Sequence, residues 1–400
     1  MARVGPGGPG SARPGRPGFD LAVIGGGLVG LCLAYEALGA GARVVLFDRG
    51  DRGRATDAGA GILAAEAACL TKPDNQPWRE LATASARHWR DLVGELGAQG
   101  APDTGFAECG YLLVSYRPGD DQAMEWAARA LAEHCGPAAT EVPAEQARSM
   151  FPVLGPLRRC LWLPQAARVD GRRAAAAVRQ AAARRGLEVR AEAVEALSFS
   201  GRRALGVRVG GEEVPAGAVA VAGGAWSAEL ASQLGVSLPV GPQKGQIVHL
   251  ELPGADTAGW PVVQPVLGHY LVAWPGGRVA CGGTVEPAAG FDARPTAGAA
   301  RELLSECLSV APGLAQASLL ELRAGLRPAS ADELPVLGRL PGWDNVFVAT
   351  GHGANGLLMG PYSAKLVAAQ ALGSGGGHGL VGGQGLLAAF TAQRFGPPRP

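Results

Sequence analysis

A glycine-rich turn near the amino terminus restricts the fold of this chain more than any other feature. Gly25, Gly27 and Gly30 form a G-x-G-x-x-G pattern behind the apolar run FDLAVI, and a helical pattern follows from Leu28 to Leu38. In a βαβ unit the first glycine permits a tight turn, the second admits a pyrophosphate close to the backbone, and the third lets helix and strand pack together. The helix amino terminus then faces the phosphates. The stretch therefore predicts a dinucleotide-binding βαβ unit.

An acidic residue follows at the expected place. The second predicted strand, ARVVLFD, ends at Asp48. An acidic side chain at this point of the unit accepts hydrogen bonds from the ribose hydroxyls of a dinucleotide. A lone G-x-G-x-x-G pattern also arises by chance in a chain with 62 glycines. The prediction therefore depends on the strand, the helix and Asp48 together.

Composition favours a small molecule as the partner. The 36 basic and 35 acidic residues nearly cancel, which argues against nucleic acid or an anionic membrane surface. The apolar stretch from Gly259 to Gly277 is interrupted by prolines, Gln264 and His269, so we predict no membrane span. The seven cysteines show no C-x-x-C spacing and are expected to be reduced thiols in a cytoplasmic protein. The six histidines show no H-x-x-x-H spacing, so no metal site is predicted.

Strand and helix patterns indicate two interleaved domains. Closely spaced strands fill Pro239 to Arg327, and from Asn345 a strand, the glycine turn GHGANG and a helix return to the style of the first unit. We predict an α/β fold in which a Rossmann-type cofactor domain is combined with a β-sheet-rich substrate domain. The predicted segments are a disordered tail over 1–18, the cofactor domain over 19–75, 145–235 and 328–372, the substrate domain over 76–144 and 236–327, and a flexible linker with a C-terminal segment over 373–400.

Two further segments favour FAD over a nicotinamide nucleotide. RATDAGAGILAAE, from Arg54 to Glu66, places small residues and backbone donors after the second strand, which suits an extended cofactor that continues toward a second domain. The later turn GHGANG offers N–H groups at a helix amino terminus to an electron-rich ring or a phosphate. A nicotinamide enzyme does not need a second glycine turn so far along the chain.

Read together, these segments resemble the D-amino-acid oxidase family of flavoproteins, and most closely its glycine oxidase branch. The resemblance extends from Phe19 to Leu372 and is carried by VIGGGLVG, RATDAGAGILA, AVAGGAWS, PQKGQIVHL, GHYLVAWPGGRVACGGTVE, GLRPASADELPVLG and GHGANGLL, in that order. It implies a D-amino-acid oxidase-like fold and FAD as the cofactor. No suitably placed Cys or His signals a covalent attachment, so the FAD is expected to be non-covalent.

The resemblance also implies FAD contacts, position by position. They are Gly25, Gly27, Leu28, Val29 and Gly30 at the pyrophosphate turn, Asp48 and Arg49 at the adenosine end, Ala55, Thr56, Ala60, Gly61 and Ile62 along the middle and the flavin, Val194 at the adenine, and His352, Gly353, Ala354, Asn355, Gly356, Leu357 and Leu358 at the isoalloxazine edge. Asp57 and Gly59 depart from the family's usual Ser and Ala, and both changes look tolerable.

Arg327 is the leading candidate for substrate binding. It stands in the segment GLRP, whose arginine holds the substrate carboxylate in glycine oxidases. A guanidinium fork binds and orients a carboxylate through two parallel, charge-assisted hydrogen bonds. The alternatives are a structural ion pair with Asp332 or Glu333, and the use of Arg323, which has the same strand parity, in its place.

Three other positions bear on the substrate. Tyr270 matches a tyrosine that helps to hold the carboxylate in the family, although a buried aromatic with a satisfied hydroxyl is the alternative. His352 is a candidate for a positive or hydrogen-bonding group near the flavin, although a structural role is the alternative. Ala354 departs from the family, because glycine oxidases commonly carry an arginine there. We therefore expect a roomier site that prefers a bulkier amino acid or secondary amine to glycine, unless Arg323 or Lys244 replaces the missing charge.

The expected function is oxidation of a small amino acid or amine. The family implies hydride transfer to flavin N5, release of an imine that water hydrolyses, and reoxidation by oxygen with formation of hydrogen peroxide. Two alternatives remain: a flavin dehydrogenase of an amino or 2-hydroxy acid with a quinone or protein acceptor, and a non-catalytic flavin-binding subunit. The sequence leaves the substrate's identity and the oligomeric state open.

Overall fold

The computed structural model describes residues 18–135, 139–373 and 383–396. The predicted disorder of the tail lies outside these residues apart from Gly18, and most of the predicted linker lies outside them as well. The strands are β1 (Phe19–Ile24), β2 (Val44–Phe47), β3 (Ile62–Leu63), β4 (Ala107–Glu108), β5 (Tyr111–Ser115), β6 (Thr140–Glu141), β7 (Arg159–Leu163), β8 (Ala167–Arg168), β9 (Glu188–Arg190), β10 (Ala196–Ser200), β11 (Arg203–Val209), β12 (Glu212–Val221), β13 (Val240–Glu251), β14 (Val262–Pro265), β15 (Tyr270–Trp274), β16 (Arg278–Gly282), β17 (Ser318–Ser330), β18 (Val336–Arg339) and β19 (Val346–Thr350). The α-helices are α1 (Leu28–Gly39), α2 (Ala55–Ala58), α3 (Ala65–Thr71), α4 (Gln76–Ala98), α5 (Asp121–Cys135), α6 (Ala144–Met150), α7 (Gly171–Arg184), α8 (Ser227–Gln233), α9 (Ala297–Val310), α10 (Gly356–Ala371) and α11 (Gly383–Ala389).

The first large sheet contains the predicted dinucleotide-binding βαβ unit. Its order is β10-β11-β12-β1-β2-β9, and β19 extends it from β12 with β18 at its side. β1 pairs in parallel with β2 and β12, and β12 pairs in parallel with β19. Residues 21–24 of β1 and all of β2 are apolar and buried because both faces of this sheet are covered. The carboxyl ends of these parallel strands therefore share one edge of the sheet.

The second large sheet is mostly antiparallel, with the order β17-β13-β16-β15-β14-β5-β7-β6. Its longest pair joins β13 to β17, with Gly245 opposite Gly325 and Gln243 opposite Arg327. One face packs on α6 and α9 through residues such as Phe151 and Leu303. The outer strand β17 also meets the cofactor domain, because isolated bridges join Leu326 to Arg54 and Ala329 to His352.

The packing of two segments differs from the predicted intervals. α4 lies inside the interval 76–144 that we assign to the substrate domain, but Trp78, Trp89 and Leu92 on this helix pack in the same core as α1 and α10. Apart from Ala144, α6 and β7 lie inside the interval 145–235 that we assign to the cofactor domain. They nevertheless join the second sheet and its core. Amphipathic helices and short strands reveal that one face is buried, whereas the partner of that face depends on tertiary contacts.

Candidate active site

A large cleft lies between the two sheets, at the carboxyl ends of the central parallel strands. Ile24 at the end of β1, Phe47 at the end of β2 and Thr350 at the end of β19 line it. β17 and β13 line the opposite side with Arg327 and Gly245. Ligands of open α/β sheets bind at this edge.

The cleft brings together nearly all of the predicted cofactor and substrate residues. Gly30 does not line it. This glycine faces the preceding turn instead, since a Cβ at this position would lie 1.9 Å from the Gly25 carbonyl oxygen. This close approach of helix to strand is the packing role expected of the third glycine. The predicted residues that line the cleft are Gly25, Gly27, Leu28, Val29, Asp48, Arg49, Ala55, Thr56, Ala60, Gly61, Ile62, Val194, Tyr270, Arg327, His352, Gly353, Ala354, Asn355, Gly356, Leu357 and Leu358.

The glycine turn has the properties that a dinucleotide requires. α1 begins after Gly27 with no side-chain cap and no acidic residue in its first turn, so its amino terminus favours an anion. The Leu28 amide donates a hydrogen bond to Thr56 Oγ1 at 3.0 Å, which ties the turn to the loop after β2. A Cβ on Gly25 would lie 2.4 Å from the Ala222 carbonyl oxygen. The turn therefore fits the pyrophosphate of FAD and leaves no room for side chains there.

Asp48 lies over the same turn and has protein partners of its own. A Cβ on Gly26 would lie 2.3 Å from Asp48 Oδ2, which shows how closely the carboxylate approaches the backbone. Asp48 Oδ1 accepts a hydrogen bond from the Gly50 amide at 3.1 Å, and Oδ2 accepts one from Arg54 Nη1 at 2.7 Å. Arg54 lines the cleft as well. This pair offers both an acceptor and a cation at the end of the cleft where the sequence predicts the adenosine.

Arg327 and Tyr270 meet over a pair of glycines at the other end. Arg327 is half-buried, and its Nη1 donates a 2.7 Å hydrogen bond to the Thr284 carbonyl oxygen. A Cβ on Gly283 would lie 2.9 Å from both Arg327 Nη2 and the Tyr270 hydroxyl, so these two groups face the same point. Burial raises the pKa of Tyr270, and the nearby Arg327 only partly opposes this shift. Tyr270 therefore stays protonated at neutral pH and can donate a hydrogen bond beside the guanidinium.

His352 lies at the turn between β19 and the final helix. It is 2% exposed and lines the cleft, and its Nε2 is buried with no hydrogen-bond partner among the described residues. Burial lowers its pKa to about 4, so the ring is neutral near pH 7. A buried polar atom without a partner is costly, so its position in the cleft fits a polar edge of the flavin. Of the two predicted roles near the flavin, the hydrogen-bonding one is compatible with this burial.

The ion pairs of this region bear on the alternatives for Arg327. Asp332 binds Arg394 at 2.6 Å, and Glu333 lies 3.0 Å from Lys72. The described hydrogen bond from the Arg327 side chain goes to a backbone carbonyl. Both carboxylates that could have held Arg327 as a structural ion pair are thus engaged by other cations.

Arg323 and Lys244 lie elsewhere although they flank the same region. Arg323 pairs with Glu321 and lines a separate small cavity next to His249. α2 crosses β17 between the two arginines, since a Cβ on Gly325 would lie 2.7 Å from the Ala58 Cβ. Lys244 is 2% exposed and its Nζ lies 3.7 Å from Glu286. Neither cation lines the cleft, whereas Ala354 is exposed and does line it.

Several cleft residues escaped the sequence analysis. Trp226 lines the cleft and lies 5.5 Å from Phe291, centroid to centroid. Gly245, Ile247 and Tyr111 also line it and belong to the second sheet. The quoted segments AVAGGAWS and PQKGQIVHL contain three of these positions, but a glycine or apolar residue in a strand carries no signal of what it faces. These residues could be placed in the cleft only once the pairing of the strands was known.

A metal-binding cluster and a membrane-spanning helix are both absent from the described residues. Within 18–135, 139–373 and 383–396, no three or more His, Cys, Asp or Glu side chains are grouped so that they could hold a metal ion. None of the helices in these ranges is long and apolar enough to cross a membrane.

Comparison with known proteins agrees with this geometry. Residues 20–370 match the DAO family, described as FAD dependent oxidoreductase. The chain is 37% identical to the Uncharacterized oxidoreductase YurR of Bacillus subtilis over 88% of this chain and 94% of that protein. It is 34% identical to a glycine oxidase of Pseudomonas aeruginosa over 87% of this chain and 93% of the relative. The crystal structure of iminodiacetate oxidase from Chelativorans sp. BNC1 superposes with a TM-score of 0.83 at 36% identity, covering 88% of this chain and 95% of that one.

These matches confirm the predicted D-amino-acid oxidase-like α/β fold and the predicted cofactor. They cover nearly the whole stretch from Phe19 to Leu372 over which the sequence resembles the family. The chain therefore belongs to the DAO family of FAD-dependent oxidoreductases and is an enzyme that acts on the carbon–nitrogen bond of amino or amine donors.

Proposed function

We propose that this protein is an oxidase that deaminates a small amino acid or an N-substituted amino acid, with oxygen as the electron acceptor and hydrogen peroxide as a product. The observation that carries the proposal is the Arg327 guanidinium beside the Tyr270 hydroxyl in the cleft. A cation and a neutral donor at one point suit a carboxylate, which accepts both kinds of hydrogen bond. The similarity to a glycine oxidase and to an iminodiacetate oxidase supports a carboxylate-bearing amine as the substrate class.

Arg327 provides most of the orientation. Its Nη1 is held by the Thr284 carbonyl, so the remaining N–H groups of the fork are available to a carboxylate in a fixed plane. Tyr270 donates to the same carboxylate and limits its rotation. With the carboxylate held at two points, the substrate Cα is kept at a fixed distance from the fork, which favours productive placement of its C–H bond in the cleft.

FAD, when bound, would supply the redox chemistry by taking up a hydride from the substrate Cα, and oxygen would receive the two electrons. The protein contributes a cleft whose lining is largely apolar. Neutral His352, whose Nε2 has no hydrogen-bond partner among the described residues, would offer a hydrogen bond at the flavin edge without adding a charge. The substrate must carry an unprotonated amine to release hydride, and the resulting imine is hydrolysed by water to a 2-oxo acid and ammonia or an amine.

Ala354 sets the size of the site at its outer side. It is exposed and lines the cleft, and no cation among the described lining residues other than Arg327 lies beside Tyr270. We propose that a bulkier amino acid or a secondary amine is preferred to glycine. Iminodiacetate, a secondary amine with two carboxymethyl arms and the substrate named for a structural relative, belongs to this class.

Arg327→Ala tests the proposal most directly. The exchange should cost about 2 to 5 kcal/mol of substrate recognition, because it leaves a bound carboxylate without its main partner. Arg323→Ala is the matched control, since Arg323 lies on the same strand but outside the cleft. Both proteins should retain FAD. Equal kcat/KM for Arg327→Ala and the parent on the best carboxylate substrate would exclude the assigned role.

The acceptor is tested separately. Oxygen consumption and peroxide formation during turnover should be stoichiometric with amine oxidation. Rapid anaerobic bleaching of the flavin by substrate, combined with slow reoxidation by oxygen and fast reoxidation by a quinone, would instead identify a dehydrogenase. Absence of bleaching by every amine, D-amino acid and hydroxy acid of a broad panel would exclude an enzyme of this specificity.

A further inference from the structure

A buried glutamine lies directly behind the substrate-binding face of β13. Gln246 is 0% exposed and stands between Gly245 and Ile247, which line the cleft. Side chains alternate along a strand, so that of Gln246 points away from the cleft. Its Oε1 accepts a hydrogen bond from the Thr296 amide at 2.8 Å, and its Nε2 donates to Glu286 Oε1 at 2.7 Å. The buried amide group is thus bonded at both ends.

These partners lie at the two ends of one connection. We call residues 284–296, which lead from β16 to α9, the strap. At its start, the backbone N–H of Gln246 donates to Thr284 Oγ1 at 2.9 Å, and the backbone N–H of Thr284 donates to the backbone carbonyl of Gln246 at 3.2 Å. At its end, Thr296 accepts from Gln246 Nε2 at 3.2 Å and caps α9. Gln246 therefore contacts both ends of the strap, next to a backbone bridge that joins Lys244 of β13 to Glu286.

The strap in turn holds the guanidinium of Arg327. Arg327 Nη1 donates to the Thr284 carbonyl oxygen at 2.7 Å, and this carbonyl belongs to the first residue of the strap. Thr284 Oγ1 donates to Glu286 Oε1 at 2.5 Å, the same oxygen that Gln246 contacts. The direction of the carbonyl thus depends on hydrogen bonds from the backbone and side chain of Gln246, together with the backbone bridge between Lys244 and Glu286. A long arginine side chain that is not held in this way samples several rotamers.

From this geometry we propose that Gln246 is a positioning residue for carboxylate binding: it fixes the strap, the strap fixes the Thr284 carbonyl, and the carbonyl fixes the Arg327 fork. The proposal rests on the proposed function, in which Arg327 binds the substrate carboxylate. Gln246 itself touches neither the cleft nor the substrate. Its effect is on the binding of carboxylates, with little effect on the retention of FAD.

The chain permits an exchange of donor and acceptor that separates this role from simple packing. Gln246→Glu keeps the size of the side chain but sets a carboxylate against the Glu286 carboxylate. Adding Glu286→Gln restores a donor–acceptor pair with the polarity reversed and returns the net charge to its original value. Gln99→Leu is the control, because Gln99 donates a comparable partly buried hydrogen bond, to the Tyr35 hydroxyl, far from the strap.

The experiment uses FAD-loaded enzyme and acetate as a probe that carries a carboxylate but no amine. Acetate binding is followed by the change in flavin absorbance, FAD retention by ultrafiltration, and kcat and KM by turnover. Gln246→Glu should raise the acetate Kd about tenfold or more, with a larger effect on KM than on kcat. The double variant should recover to within about threefold of the parent. Gln99→Leu should match the parent.

The outcomes decide between the two proposals. If Arg327→Ala binds acetate as the parent does, the proposed function fails and this inference fails with it. If Arg327→Ala loses acetate but Gln246→Glu binds it normally, or the double variant shows no recovery, the positioning role is overturned and the proposed function stands. Should Gln246→Glu not fold, Glu286→Ala replaces it at a partly exposed side chain, and an unchanged acetate Kd there also overturns the role.

Discussion

Gly245→Ala is expected to impair substrate binding without damaging the fold. A Cβ at this position would lie 2.3 Å from Cζ and Nη2 of Arg327 and 2.5 Å from its Nη1. Carbon contacts are comfortable only from about 3.5 Å, so the guanidinium must move by about 1 Å or more. The obstructing atoms are the end of a flexible side chain rather than backbone, so the strand can accept the methyl group while Arg327 leaves its place.

The magnitude follows from the hydrogen bonds that are lost. A displaced guanidinium gives up its bond to the Thr284 carbonyl and the planar, two-point contact to a carboxylate. One hydrogen bond to a charged group contributes about 1.5 to 3 kcal/mol, which corresponds to a rise in Kd of about 10- to 150-fold. We therefore expect acetate and the best amino-acid substrate to bind more weakly by this factor, with FAD still bound.

Two comparisons isolate the cause. Gly241→Ala on the same strand is the matched control, because a Cβ there would have nothing within 4 Å. Its ligand affinity should equal that of the parent. In the second comparison, Gly245→Ala is added to Arg327→Ala, and it should then cost nothing further if it acts only through the arginine. Parent-like affinity in Gly245→Ala alone would refute the reasoning, since Arg327 would not then need the space over Gly245.

Four other outcomes are expected. Denaturation should release intact FAD into the supernatant, and flavin that precipitates with the chain would contradict the non-covalent assignment. Ala354→Arg should raise kcat/KM for glycine relative to bulkier amines, whereas a parent protein that already prefers glycine over a broad panel would rule out the roomier site. Gly30→Ala should abolish FAD binding, because the added Cβ would lie 1.9 Å from the Gly25 carbonyl oxygen. Gly94→Ala is its control: the position lies in α4 with open space around it, so this exchange should raise the free energy of unfolding measured in urea by about 0.5 to 1 kcal/mol. Finally, burial lowers the pKa values of His88 and His249 to about 4. The unfolded chain therefore binds more protons between pH 6.5 and 4, and each histidine should remove about 1.4 kcal/mol of unfolding free energy per pH unit as the pH falls through this window, so a flat denaturation midpoint would argue against their burial in the neutral form.

Local features of the chain determined the cofactor side of the site. The strand Phe19–Ile24 has the predicted bounds, the helix that begins at Leu28 ends one residue later than predicted, and Asp48 stands directly after β2. These features depend on constraints that act over a few residues: the conformation of a glycine turn, the exposed N–H groups of a helix amino terminus and the alternation of apolar runs. Such constraints involve residues that are close together in the sequence, so they can be predicted without knowledge of the fold.

The tertiary structure alone decided which groups serve the substrate. Arg323 and Arg327 share one face of β17, and only the passage of α2 over Gly325 places the first in a small side cavity and the second in the cleft. The sequence allowed an ion pair between Asp332 and Arg327, but in the structure Asp332 pairs with Arg394. The partners of the Gln246 side chain lie 40 and 50 positions along the chain, at Glu286 and Thr296. A strand pattern states which face is buried but not what covers it, because that contact joins residues whose separation in sequence carries no information about their distance in space.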